Sequence, residues 1–190
     1  MTRGHHQAVD GAASGFDLAM SDGVAKFLAF LADGITAVER RLETLGAEDV
    51  LPCYPLRTRR HLLPPSNADE AGGIDDEAGV WGALYVLEGS RLGGRMLARS
   101  SAELKVHPAF QPDTFWPVFL EYLELAHRRM DNRDGMAVGA AAAFDAFLPR
   151  HKPLPSCDPG GLHDAREPHG RASDLAGGHE AALARAPARS

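Results

Sequence analysis

The chain lacks three features that would each point to a function. Its 190 residues include only two cysteines, Cys53 and Cys157, which are far apart and form no Cys-x-x-Cys pair. The formal net charge of −6 leaves no basic excess to neutralise nucleic-acid phosphates. No apolar run approaches the roughly 20 residues of a membrane span, and the first residues lack the apolar core of a signal peptide. We therefore expect a cytoplasmic protein with free thiols and with neither a nucleic-acid partner nor a membrane span.

Helical periodicity dominates what the sequence does contain. Apolar residues recur at steps of three and four from Asp22 to Leu45, which predicts an amphipathic helix. The same pattern predicts further helices over residues 2–13, 75–99, 115–130 and 135–148. Alternating runs rich in Val, Ile and Thr are missing, so little or no sheet is expected. The sequence predicts an all-α fold.

The last forty residues have a different composition. Residues 151–190 contain no Phe, Trp or Tyr and are rich in Pro, Gly, Ala, Arg and His. Such a segment buries too little apolar area to offset the entropy of ordering it. We expect a folded domain over residues 1–150 and a disordered, low-complexity tail over 151–190.

The most informative segment is Tyr85–Gly94, which reads YVLEGSRLGG. It places Gly89, Gly93 and Gly94 within six residues of a predicted helix. A glycine inside a helix costs about 1 kcal/mol relative to alanine. A helix carries such a weakness where something approaches its backbone closely or where it bends, and the paired Gly93-Gly94 predicts a kink.

These glycines create a nearly bare helix surface. On a helix, Gly82, Gly89 and Gly93 share one face, and Ser90 and Gly94 lie beside them. The bare backbone suits either close packing against another helix or a flat ligand that lies on it. The spacing alone leaves both uses open.

A flat ligand that contains a metal needs an axial donor, and histidine is the natural candidate. His6 lies on the predicted first helix, where packing of its apolar neighbours would present its imidazole to iron. A solvated His5-His6 pair at a frayed end is the alternative. Glu124 and His127 have the Glu-x-x-His spacing of di-iron bundles, but that chemistry needs a second such pair, which the sequence lacks.

The residues around both features resemble a known family. Residues 82–94, GALYVLEGSRLGG, resemble the distal-helix signature of bacterial biliverdin-producing heme oxygenases, particularly the branch often encoded with bacteriophytochromes. The segment Thr2–Asp10 resembles that family's Thr-Arg-x-x-His-x-x-Leu-Asp segment, whose histidine ligates heme iron. The register selects His6 over His5. The resemblance covers most of residues 2–148.

The resemblance implies a heme-oxygenase-like helical bundle that holds heme between a proximal helix and a kinked, glycine-rich distal helix. It implies His6 as the iron ligand and heme contacts from Tyr85, Gly89, Ser90, Gly93 and Gly94. Among these, Gly89, Gly93 and Gly94 are the implied catalytic positions, because bare backbone leaves room for dioxygen and water.

The implied reaction is the O2-dependent cleavage of heme, both substrate and cofactor, to biliverdin, carbon monoxide and iron. Electrons must come from a partner such as ferredoxin or a reductase, since the chain has no nucleotide-binding glycine motif. The resemblance also implies a functional link to a bacteriophytochrome.

The chain departs from the family at its start. Family members usually begin several residues earlier, and those residues often bring basic side chains to the heme propionates. Arg3, Lys26 and Arg95 are the candidates for that role here. The departure favours, as an alternative, a non-catalytic heme-binding or heme-storage protein of the same fold. A thiaminase-like bundle that binds another flat ligand is a further alternative.

Overall fold

The computed structural model describes residues 3–148, so the predicted tail and its boundary at residue 150 lie outside the described residues. This range is all-helical, with four short 3-10 segments and no strand, which confirms the predicted all-α class for it. None of its helices combines the length and hydropathy needed to cross a bilayer. Its α-helices are α1 (Arg3–Ser14), α2 (Ser21–Thr44), α3 (Ala47–Val50), α4 (Glu77–Leu97), α5 (Ala102–Val106), α6 (Phe115–Arg129) and α7 (Arg133–Asp145).

The core is built around the apolar stripe of α2. The stripe residues that are fully buried are Val24, Phe27, Ile35, Val38 and Leu42. Helix α4 packs against them with Trp81 and Leu84, and α6 adds Phe119, all buried. The periodicity between residues 22 and 45 thus marks the face of α2 that the core covers.

Helices α4 and α7 pack with their backbones in close contact. A Cβ atom at Gly82 would lie 2.0 Å from the carbonyl oxygen of Met136. A Cβ atom at Gly139 would lie 2.2 Å from the carbonyl oxygen of Gly79. Only glycine fits at either position, because a backbone atom cannot move aside as a flexible side chain can.

The N-terminal ends of the same two helices are joined by their capping residues. Asp76 accepts a hydrogen bond from the Gly79 amide at 2.8 Å, and Asn132 accepts one from the Gly135 amide at 3.1 Å. The side-chain amide of Asn132 also donates to Asp76 at 2.8 Å. A helix cap contributes about 1 kcal/mol, so this pair stabilises both helices and holds their ends together.

Substituting Gly82 with alanine is expected to destabilise the fold by about 3 kcal/mol, the upper end of the cost of overpacking a core. Urea denaturation would measure this loss. The matched control is Gly93→Ala, because a Cβ atom there would meet no atom within 4 Å. That variant should be more stable than wild type by up to about 1 kcal/mol. Equal stability of the two variants would contradict the close packing of α4 on α7.

Candidate functional site

A cleft opens between α1, α2, α4 and the C-terminal end of α7. It holds about 700 Å³ of space free of protein atoms, including its open mouth. Much of its wall is aromatic, formed by Phe27, Phe30, Phe144 and Phe147. An apolar cleft with a few convergent polar groups is the usual form of a small-molecule site. These phenylalanines cannot be identified as cleft residues from the sequence, because an aromatic residue at helical spacing has the same pattern whether it lines a cleft or fills a core.

The cleft brings together all the site residues that the sequence singled out. His6 lines it from α1. The α4 residues that line the same cleft include Tyr85, Gly89, Ser90, Gly93 and Gly94. Because α1 and α4 are far apart in the chain, this convergence is a property of the fold.

The imidazole of His6 is held by a carboxylate. Its Nδ1 lies 2.8 Å from an oxygen of Asp10, one helical turn further along α1. Its ring meets that of Phe144 edge-on, with the centroids 5.5 Å apart. A carboxylate on Nδ1 places the proton there and leaves the lone pair of Nε2 for a metal. Asp10 lies four residues after His6 in the sequence, and that spacing is the signal that could have identified it as the partner of the imidazole.

His5 has a different partner. Its Nδ1 lies 2.7 Å from a carboxylate oxygen of Asp145 at the end of α7, and His5 does not line the cleft. The adjacent histidines thus have separate roles, since His5 attaches α1 to α7 while His6 faces the cleft. Of these two histidines, His6 is the one that lines the cleft.

The glycines of α4 serve two different purposes. Gly82 permits the close contact with α7, whereas a Cβ atom at Gly93 would meet open space. A Cβ atom at Gly89 would lie 3.8 Å from the ring of Trp116, which is an ordinary van der Waals distance. Gly94 lines the cleft as well, but its missing Cβ makes room for the ring of Phe110, which would lie 2.7 Å away. Close helix packing, one of the two uses that the spacing left open, therefore occurs at Gly82. Gly89 and Gly93 leave bare backbone in the cleft wall, and at Gly93 an added Cβ would meet open space.

A second opening adjoins the cleft at Tyr85 and adds Arg3 to its lining. Among residues 3–148, the guanidinium of Arg3 has no hydrogen-bond or ion-pair partner. The other two basic candidates have partners, since Lys26 pairs with a carboxylate of α2 at 2.7 Å and Arg95 donates to a backbone carbonyl at 3.4 Å. Arg3 is therefore the basic residue best placed to meet an anionic group at the mouth.

A charged network lies behind the cleft wall. Arg57 pairs with Glu88 of α4 at 2.5 Å and with Asp113, just before α6, at 2.6 Å. Its guanidinium carbon lies 4.4 Å from the ring centroid of Phe115. Arg91 also contacts Glu88, at 3.3 Å, so this buried carboxylate is well compensated. The network attaches the middle of α4 to the segment that begins α6.

Asp113→Asn is expected to lower the free energy of unfolding by about 1–3 kcal/mol at neutral pH, through loss of a charge-assisted hydrogen bond. Burial opposes ionisation of Asp113, but the Arg57 guanidinium and the Phe115 amide outweigh it and hold the pKa below its usual 3.8. A carboxyl with a lowered pKa stabilises the fold above its unfolded pKa and loses that contribution as pH falls through the folded pKa. The difference between variant and wild type should therefore shrink below pH 3.8.

Urea denaturation at neutral and acidic pH measures this difference. Asp131→Asn is the matched control, because Asp131 is exposed and has no partner in the described part of the chain. A difference for Asp113→Asn that stays constant down to acidic pH would contradict the assignment.

Between residues 3 and 148, no three His, Cys, Asp or Glu side chains come together to hold a metal ion. Glu124 and His127 are exposed on α6, where Glu124 pairs with Arg128 at 2.5 Å. The described residues therefore give no support to the di-iron alternative. A metal in the cleft would have one histidine ligand from the described residues. Its remaining ligands would have to come from a bound group, as the porphyrin nitrogens do for heme iron.

The cleft is thus apolar and is lined both by a histidine of α1 whose Nδ1 contacts a carboxylate and by bare backbone of α4. Comparison of the chain with protein-family models, with curated proteins and with solved structures finds no match.

Proposed function

We propose that the protein is a heme oxygenase, which cleaves heme with O2 to biliverdin, carbon monoxide and iron. One observation carries the proposal: His6 lines the same cleft as the bare α4 backbone at Gly89 and Gly93. A ligand on one side and empty space on the other are what an iron porphyrin needs if dioxygen is to reach the iron. The sequence resemblance supports the same conclusion independently of this geometry.

The residues present fit an iron porphyrin. The aromatic walls suit a flat, apolar macrocycle, and the Asp10 carboxylate on His6 Nδ1 leaves Nε2 for the iron. The open space at Gly93 is wide enough that an added Cβ would contact nothing. When bound, the porphyrin would supply the chemistry of O2 activation.

Each of the chain's own residues has a separate task in this proposal. His6 holds the iron, while Asp10 fixes the orientation of the imidazole. Arg3 lies where it can pair with a propionate at the mouth. The phenylalanine walls exclude bulk water, and the kink that the paired Gly93-Gly94 predicts would shape α4 around the ring.

Partners and location follow from the same proposal. Electrons would come from a ferredoxin or a reductase in a reducing cytoplasm. A bacteriophytochrome is the functional link that the family resemblance suggests. No membrane or nucleic-acid partner belongs to this proposal.

Titration of the full chain with hemin, followed by product analysis, tests the proposal. We expect binding near one to one, with a Soret band, and then release of biliverdin and carbon monoxide when ferredoxin or ascorbate supplies electrons. Hemin binding without any bilin product would favour the non-catalytic heme-binding alternative. A chain that takes up no hemin would overturn both and favour another flat ligand.

A further inference from the structure

Ser90 is a polar residue on the α4 wall of the cleft, and its hydroxyl has two partners in the protein. It donates a hydrogen bond to the carbonyl oxygen of Leu87 at 2.7 Å and accepts one from Nη2 of Arg59. Arg59 lies between α3 and α4 and is only 2% exposed. A buried guanidinium therefore contacts the hydroxyl of a residue in the cleft wall.

A buried carboxylate holds the backbone of Arg59 in place. The backbone amides of Arg59 and Arg60 donate to the two oxygens of Glu39, at 2.8 and 3.1 Å. Glu39 lies on α2 and is 1% exposed. Its oxygens are thus occupied by amides, and the Arg59 side chain is left to reach α4.

The guanidinium of Arg59 makes no ion pair within the described range. The buried carboxylate of α4, Glu88, is already paired with Arg57 and Arg91. Burial, and then repulsion by Arg91, lowers the pKa of Arg59 to about 9, which still leaves it charged at neutral pH. A buried cation without a carboxylate in contact is costly, so its position behind the cleft wall needs an explanation.

The Ser90 hydroxyl can donate its hydrogen bond either to the Leu87 carbonyl, as observed, or toward the cleft. The Leu87 carbonyl also accepts a hydrogen bond from Arg59, at 3.3 Å. If the hydroxyl turns toward the cleft, this carbonyl keeps a partner and no buried acceptor is left unsatisfied. The guanidinium donating to the hydroxyl oxygen polarises the O–H bond, which strengthens the hydrogen bond that the hydroxyl gives.

We infer that Arg59 is a positioning residue that holds the Ser90 hydroxyl as a strong hydrogen-bond donor toward an electron-rich atom of a ligand in the cleft. Arg59 acts through Ser90, since it does not itself line the cleft. The inference rests on the proposed function for the identity of the ligand. It adds a preference for small iron ligands that accept a hydrogen bond over those that do not.

Fluoride binding to the hemin-loaded full chain tests this inference, because fluoride binds ferric iron and is a strong hydrogen-bond acceptor. Hemin uptake is measured first in every variant, and fluoride affinity is then read from the visible spectrum. We expect Ser90→Ala and Arg59→Met each to weaken fluoride binding about tenfold or more. The double variant should bind fluoride no more weakly than Ser90→Ala alone, because the two residues act as one unit.

Two further variants make the result specific. Arg60→Met removes a neighbouring arginine whose guanidinium pairs with Glu43 at 2.8 Å, so fluoride affinity should stay at the wild-type value. Arg59→Lys keeps a positive charge and should retain part of the affinity lost in Arg59→Met. Ser90→Ala gives a reading even if Arg59→Met does not fold, since it leaves the buried arginine in place.

The outcomes separate this inference from the proposed function. Unchanged fluoride affinity in hemin-loaded Ser90→Ala would overturn the inference and leave the heme oxygenase proposal standing. Fully additive effects of the two substitutions would also overturn it, because Arg59 would then act independently of Ser90. A wild-type chain that takes up no hemin would overturn both.

Discussion

His6→Ala is expected to weaken hemin binding by more than about 100-fold and to change the Soret band of whatever complex remains. Loss of a residue that only orients a metal ligand lowers metal affinity by about 10–100-fold. Loss of the ligand itself should therefore lower the affinity by more than that. In the cleft, the described residues offer no second histidine to replace it. Spectroscopic titration of the purified variant with hemin measures both effects.

The control for this variant is its neighbour. His5→Ala removes the same type of side chain from the same helix, but it breaks the contact with Asp145 rather than a ligand to iron. Its complex should keep the wild-type Soret band, with at most a modest loss of affinity as α1 is held less firmly. An unchanged spectrum in His6→Ala, or a changed one only in His5→Ala, would remove His6 as the iron ligand.

Gly93→Leu is expected to abolish bilin formation while leaving the fold intact. A Cβ atom at this position would meet no atom within 4 Å, and Gly93 lines the cleft, so a leucine side chain would extend into the cleft on the α4 side. Leucine is also a better helix former than glycine by somewhat under about 1 kcal/mol, so the free energy of unfolding should not fall. We expect a loss of turnover of about 100-fold or more, equivalent to roughly 3 kcal/mol of activation free energy. Bilin formation and urea denaturation are measured on the same preparation.

Gly11→Leu is the matched control. Gly11 lies on α1, has open space around its missing Cβ and does not line the cleft. Its turnover should therefore be unaffected. Wild-type turnover by Gly93→Leu would show that the open backbone on α4 has no role in catalysis.

The long helices were predictable because periodicity accumulates with length. The stripe from residues 22 to 45 predicted α2 to within a residue at each end, at Ser21 and Thr44. The pattern over 75–99 likewise predicted α4, which runs from Glu77 to Leu97. The short helices α3 and α5 were not predictable from the sequence, because four or five residues are too few to show a helical period.

The convergence of His6 and the α4 glycines on one cleft follows the family resemblance rather than residue type. The residues alone left open a solvated His5-His6 pair and close helix packing at the glycines. Which glycines pack on α7 and which face the cleft was not predictable, since that depends on where α7 lies. Arg59 gave no signal at all, because its contact with Ser90 spans 31 positions and depends on the path of the chain between α3 and α4.

The helix that bears His6 is only lightly attached to the rest of the fold. No residue of α1 is fully buried, and Val9 and Ala13 are among the few that pack against the core. An element with so little buried surface opens locally at a small free-energy cost, well below that of global unfolding. Under the proposed function, a ligand bound by His6 needs α1 closed, so uptake and closing of this helix would be thermodynamically coupled. The measured hemin affinity would then be the intrinsic affinity multiplied by the fraction of molecules with α1 closed, and ligand capture would be in part a folding step of the first helix.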